Sequence, residues 1–223
     1  YELSETIANR FMQNGIHAVS AIEKSGKHLF LFDNVGYLVY PWIDAHILER
    51  NQVSETHALM IAELIAKLHI IKLDVPEVGQ PRVDIHTNES IAAAIEKTLK
   101  LECASGKALK ENQKTILDIN DSYQAVIPFL LENTIVSHGD IDQLNVLWDK
   151  NNQPILIDWE SVRKLNPTRE MIRASLVWSG IGTNNSSQTI YSNMLRTYIN
   201  NGGVLNENHV NAALCSVFGS SIN

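Results

Sequence analysis

The sequence predicts an α+β protein, with a short helix-and-strand segment ahead of a mainly helical region that carries one β-hairpin. Three observations support that reading. Residues 2–14 place Leu3, Ile7, Phe11 and Met12 on one helical face. Short apolar runs then alternate with turn residues up to Tyr40. From Ser54 onward the apolar spacing is helical, broken by two strand-like runs at 145–148 and 154–157.

Each element has a local reason. Gly15 closes the first helix, because glycine adopts the left-handed conformation that ends helices. Runs at 18–22, 28–32 and 37–40 read as strands, with Ser25-Gly26-Lys27 and Asp33-Asn34-Val35-Gly36 as turns. Tyr40-Pro41-Trp42-Ile43 is an extended crossing, since Pro41 lacks the N–H a sheet ladder needs. Ser54 caps a helix whose Ala58, Ile61, Ala62, Ile65, Leu68 and His69 share a face. Residues 72–87, with Pro76, Gly79 and Pro81, read as a loop, followed by helical patterns at 89–101 and 110–131, the latter perturbed by Pro128. Ile135-Val136 is a short buried strand. The hairpin turns through Asp149-Lys150-Asn151-Asn152-Gln153, and Asn166-Pro167 starts a helix. Helices at 188–200 and 208–218 complete the chain.

Composition narrows the function. The chain has 223 residues, 44% hydrophobic and 19% charged, enough for a real core and unlike a disordered chain. Its 18 Lys and Arg against 25 Asp and Glu give a net charge of −7, which argues against a nucleic-acid partner and leans slightly towards a cationic substrate. No apolar run reaches the roughly 18 residues of a membrane span, so no membrane partner is expected. Cys103 and Cys215 lack CxxC spacing, which excludes a zinc site or disulfide framework and makes a reducing cytoplasm the expected location.

The chemistry concentrates in His138-Gly139-Asp140, Asn145 and Asp158. Phosphoryl transfer needs a carboxylate near the attacking hydroxyl and oxygen ligands that hold magnesium against the phosphates. Asp140 can supply the first, Asn145 and Asp158 the second. A loop between strands turns Asp140 and Asn145 to one side, and the hairpin returns Asp158 beside them. A metallohydrolase built on His138, Asp140, Asp142 and Asp158 would need further ligands, and the other histidines lack paired spacing.

This stretch resembles the catalytic and metal-binding loops of the aminoglycoside phosphotransferase and choline kinase family. The resemblance implies a two-lobed, protein-kinase-like fold: residues 1–39 an incomplete N-terminal lobe, 40–45 the interlobe hinge, and 46–223 a helical C-terminal lobe. It implies an ATP-dependent small-molecule kinase, using ATP or another nucleoside triphosphate and Mg2+. Asp140 would be the catalytic base, His138 the brace of the catalytic loop, and Asn145 and Asp158 the magnesium ligands. Tyr40 and Trp42 of the hinge and Glu5, preferred over Glu2, would serve the nucleotide. Leu64 to His69 is similar to the family's Leu-Ala-x-Leu-His helix end. The implied partner is a small hydroxyl-bearing substrate whose identity stays open, as does the oligomeric state.

The departures are specific. The family's glycine-rich loop and lysine strand are expected before the helix that opens at Tyr1, and no such motif lies within these residues. Glu170, in Asn166-Pro167-Thr168-Arg169-Glu170, stands where the family places a second structural acid. Trp159-Glu160 replaces a Phe-Gly pair, which argues against flipping of that segment. The alternative is a kinase-like nucleotide or ligand-binding module, a pseudokinase without phosphotransfer.

Overall fold

The structure is a computed structural model that describes residues 1–83 and 85–220. Asp84, inside the expected loop, and residues 221–223, at the end of the expected helical lobe, lie outside the described residues. The first helix, α1 (Glu2–Gln13), buries Ser4, Glu5, Ile7, Ala8 and Phe11. Leu3 and Met12, expected on the same face, stay more than a third exposed. The inward stripe is narrower because Glu5 faces inward to bond the chain that follows.

β1 (Leu29–Phe32) and β2 (Val35–Leu38) form an antiparallel hairpin. Its two-residue turn, Asp33-Asn34, has φ of 49° and 60°, the left-handed pair that matches strand twist. Val35 and Gly36 therefore belong to the second strand rather than to the turn, and Tyr40 lies beyond its end. The strand expected at 18–22 does not form. Ala18 makes one parallel bridge to Leu156, while the Ala21 amide donates to the Glu5 carboxylate at 2.6 Å. That side-chain acceptor satisfies a donor a sheet ladder would otherwise need.

β3 (Ala45–Ile47) follows the crossing, so Ala45, expected at the end of the hinge, is already sheet. α2 (Glu55–Ile71) starts at Ser54, whose Oγ accepts the His57 amide, and ends at Lys72 in the left-handed conformation. It is buried on almost every side and forms the spine of the core with Ile61, Ile65 and Leu68. α3 (Asn88–Leu99), α4 (Ala104–Glu111) and α5 (Gln113–Leu130) follow. The pattern at 110–131 had suggested one helix, but Asn112 ends α4 and begins α5 with φ −98° and ψ 7°. Pro128 is accommodated within the last turn of α5.

β4 (Ile135–Ser137), β5 (Val146–Asp149), β6 (Pro154–Leu156) and β7 (Arg163–Leu165) surround the loop that carries Asp140 and Asn145. β3, β5 and β6 make one antiparallel sheet and β4 pairs with β7, placing Ser137 opposite Arg163. α6 (Pro167–Trp178), α7 (Gln188–Asn200) and α8 (Glu207–Ser220) complete the fold. Asn166 Oδ1 accepts the Thr168 and Arg169 amides, the cap expected of Asn before Pro. Among the described residues no helix is long and apolar enough to cross a membrane.

Candidate active site

The loop after β4 is held at its centre by Gly139, whose φ is +83°. A Cβ there would meet the Ser161 carbonyl oxygen at 2.5 Å and Arg163 Nη1 at 2.7 Å, so only glycine fits. Gly139→Ala is expected to lower the melting temperature and impair any activity that uses Asp140, checked by thermal denaturation and turnover of the same preparation.

His138 is fully buried. Its Nε2 donates to the Ile157 carbonyl at 2.9 Å, while Nδ1 accepts the Asp140 amide at 3.3 Å. Those two bonds require the neutral imidazole with its proton on Nε2. Burial pushes the group the same way, holding its pKa below the ordinary value against the Ile157 carbonyl and the nearby Glu170, Asp140 and Asp158. His138 thus joins the loop that carries Asp140 to the end of the hairpin. Trp159 covers it, with ring centroids 4.7 Å apart, and stacks on Phe11 of α1 at 5.3 Å.

Asp140 is half-buried and both its carboxylate oxygens have donors. Arg173 Nη2 meets Oδ1 at 2.8 Å and Asn145 Nδ2 meets Oδ2 at 3.2 Å. Asn145 Nδ2 also donates to the Asp140 main-chain oxygen at 2.9 Å. This fixes the amide orientation and leaves Asn145 Oδ1 without a donor among the described residues. The Ile157 amide donates to the Asn145 carbonyl at 3.1 Å, bringing the end of the hairpin alongside. Asp158 follows in the left-handed conformation, φ 61° and ψ 68°, with an exposed carboxylate that no described donor occupies. The free Asn145 oxygen and Asp158 carboxylate fit magnesium, which takes one or two protein oxygens and fills its remaining positions with water and phosphate. Among the described residues no three His, Cys, Asp or Glu side chains gather as a metal cage, so nothing here supports the metallohydrolase reading.

The hinge residues separate. Tyr40 donates its hydroxyl to Glu5 Oε1 at 2.6 Å, while Glu5 Oε2 takes the Ala21 amide. Burial, the bond to Glu5 and the charges of Glu5, Asp158 and Glu160 all push the Tyr40 phenol upward, which places it in the field of the site. Glu2 is spent on the His28 and Leu29 amides at the start of β1. Trp42 is 93% exposed and makes no ring contact or hydrogen bond among the described residues.

Glu170 lies beneath the loop, 6% exposed. It accepts the Gly139 amide at 2.7 Å through Oε1 and His69 Nε2 at 2.7 Å through Oε2. His69 Nδ1 is bonded in turn to the Tyr198 hydroxyl at 2.8 Å. Burial alone would raise the Glu170 pKa. The bond from His69, its charge, the nearby Ser137 hydroxyl and the Gly139 amide outweigh it and hold the carboxyl down at about 2.

A profile of the phosphotransferase enzyme family matches residues 9–190. The chain belongs to that family. That places it among phosphotransferase enzymes. Its fold is similar to that of spectinomycin phosphotransferase, solved with ADP and spectinomycin, at TM-score 0.73 and 16% identity over 99% of this chain and 72% of that one. An aminoglycoside phosphotransferase from Alicyclobacillus acidocaldarius matches at TM-score 0.67 and 13% identity, over 99% and 68% of the two chains. A choline/ethanolamine kinase family protein from Mesorhizobium loti matches at 0.60 and 15%, over 99% and 68%. At these identities the likeness shows the fold alone. A comparison with curated proteins by sequence gave no match.

Sequence reading missed two residues of this family member's site. Arg173 pairs with Asp140, and Arg163 donates to the Gly139 carbonyl at 3.1 Å and the Ser161 carbonyl at 2.7 Å. A signal for Arg173 was available. It is the one charge between Met171 and Trp178, where every other residue but Ser175 is apolar, and a lone charge on a mostly buried helix needs a partner. Nothing local marked Arg163.

Proposed function

We propose that the protein transfers the γ-phosphoryl group of ATP, or another nucleoside triphosphate, to the hydroxyl of a small molecule. The observation that supports this most is the division of labour at Asn145. Its amide nitrogen fixes Asp140, and its amide oxygen takes no donor among the described residues, while the Asn145 carbonyl accepts the amide of Ile157, the residue before Asp158. In this reading Asp140 accepts the hydrogen bond of the attacking hydroxyl and aligns it, His138 braces the loop, and Asn145 and Asp158 hold magnesium. The metal, when bound, supplies charge that neutralises the phosphates. Tyr40, Glu5 and Trp42 border the nucleotide between residues 1–39 and the helical lobe from residue 46. Most of the rate would come from positioning and fixed charge. The two unpaired cysteines are in keeping with a reducing cytoplasm.

Asp158→Ala is expected to remove magnesium-dependent nucleotide binding while leaving the melting temperature nearly unchanged, because the exposed carboxylate supports nothing else. Calorimetry with Mg-ATP checks it, and undiminished affinity in the variant would refute the metal role.

One observation favours binding without transfer. Both Asp140 carboxylate oxygens already have donors, Arg173 at one and Asn145 at the other. Tight Mg-ATP binding without ADP release, across amino-alcohols, sugars and hydroxy acids, would decide for that reading.

A further inference from the structure

Four cations line one cavity below the catalytic loop: Arg82, Arg163, Lys164 and Arg169. The cavity holds about 440 Å³, and no carboxylate lines it among the described residues. None of the four makes an ion pair among the described residues, and what sets them apart from the chain's other unpaired cations is that they converge on one cavity.

Their present bonds are to neutral groups. Arg163 spends two N–H groups on the Ser161 and Gly139 carbonyls, and Arg169 Nε donates to the Ser216 hydroxyl at 3.0 Å. A guanidinium has five N–H donors, so both keep donors over. Burial, opposed by Tyr123, and then the charges of Arg163 and Arg173, opposed by the Glu170 carboxylate, hold the Arg169 pKa below its ordinary value. Like charges gathered in a partly desolvated place cost free energy that a bound anion would offset.

The cavity also adjoins the reaction centre. Arg163 grips the carbonyl of Gly139, the residue before Asp140. Arg169 stands four residues before Arg173 on α6, and i, i+4 side chains share a helix face about 5–6 Å apart. Arg173 in turn holds Asp140 Oδ1. The cations thus lead from the cavity to the carboxylate that would meet the acceptor hydroxyl.

We propose that the phosphoryl acceptor carries an anionic group, a phosphomonoester or a carboxylate, which seats on Arg82, Arg163, Lys164 and Arg169 while its hydroxyl reaches Asp140. This rests on the phosphotransferase reading above and specifies its substrate class. The acceptor oxygen bonds the γ-phosphorus, and the bond from that phosphorus to the bridging oxygen breaks. Its electron pair leaves with ADP, and the hydroxyl proton passes through Asp140 to solvent. The net charge of −7 pointed the other way, but a whole-chain sum says nothing of a local field focused by a low-dielectric cavity.

The test compares glycerol 3-phosphate and glycerate with glycerol and ethanolamine as acceptors, by ADP release, in the parent chain and in the Arg82→Gln/Lys164→Gln double variant. Arg82 is exposed and Lys164 half-buried, so the fold tolerates both changes. An anionic acceptor is expected to exceed glycerol at least tenfold in kcat/KM, and the double variant to lose that advantage mainly through KM. Whichever of the two anionic compounds leads tells phosphomonoester from carboxylate. Preference for ethanolamine or glycerol, unchanged in the variant, would overturn the proposal.

Inorganic phosphate titrated into both proteins by calorimetry separates the two readings. Affinity reduced at least tenfold in the variant supports the cavity as an anion site, and unchanged affinity defeats it. No turnover of any acceptor, with phosphate binding lost only in the variant, defeats the phosphotransferase reading and leaves the anion site standing.

Discussion

Asp140→Ala is expected to lower turnover by about 10²–10⁴-fold, the usual contribution of a positioned proton acceptor, with little effect on folding. The reasons lie in its partners. The Asp140–Arg173 pair is about a third exposed on both sides, and pairs of that kind contribute about 0–1 kcal/mol. Asn145 Nδ2 keeps the Asp140 main-chain oxygen as acceptor after the carboxylate is gone, so no buried donor is orphaned. Asp140→Asn keeps the shape, loses the charge and is expected to be nearly as inactive. The measurement is ADP release with a productive acceptor, beside a thermal melt of each variant. An Asp140→Ala protein with parental turnover would remove the basis of the mechanism.

The largest effect on stability is expected at Glu170. Glu170→Ala strips the acceptor from His69 Nε2 and from the Gly139 amide, both buried. Breaking a buried pair in this way costs about 3–5 kcal/mol, read as a lower urea midpoint. The catalytic loop would loosen with it, since Gly139 is tied down by that carboxylate. Glu170→Gln keeps one acceptor oxygen and is expected to cost less.

The same group carries a pH dependence. Its folded pKa, about 2, lies below its ordinary value of 4.5, so the ionised form favours the native state. The stabilisation is complete above about pH 4.5, declines as pH falls below that, and is gone once the pH drops past about 2. A depression of that size corresponds to about 3 kcal/mol. The stability gap between the parent and Glu170→Gln should therefore shrink as the pH falls from 5 to 2. A gap that stayed constant over that window would show that Glu170 is not the group responsible.

Much of this was readable from residue order because the signals were local. Ser54 and Asn166-Pro167 mark helix starts through bonds within three residues. The hairpin is announced by two apolar runs around a polar turn. His138-Gly139-Asp140, Asn145 and Asp158 are close enough in the chain that a loop and one hairpin must bring them together. The misreadings also have local causes. Residues 18–22 have a strand's composition, yet the Ala21 donor goes to Glu5, 16 residues away, which no periodicity reveals. α4 was missed because its residues 104–111 bury only Gly106, so no apolar stripe marks a helix there.

Residue order alone thus determined the α+β class and most element positions, since each depends on spacing along the backbone, and it singled out Asp140, Asn145 and Asp158 as a candidate triad. Only the tertiary structure decided what surrounds that triad. Arg173 lies 33 residues from Asp140 and Glu170 lies 31 from Gly139, while Tyr198 reaches His69 across 129. Arg82 meets Arg163, Lys164 and Arg169 at one cavity only because the loop after α2 folds over β7 and α6. Packing distant segments fixes such contacts, and with them the local field. A chain with net charge −7 can therefore gather four cations at one cavity.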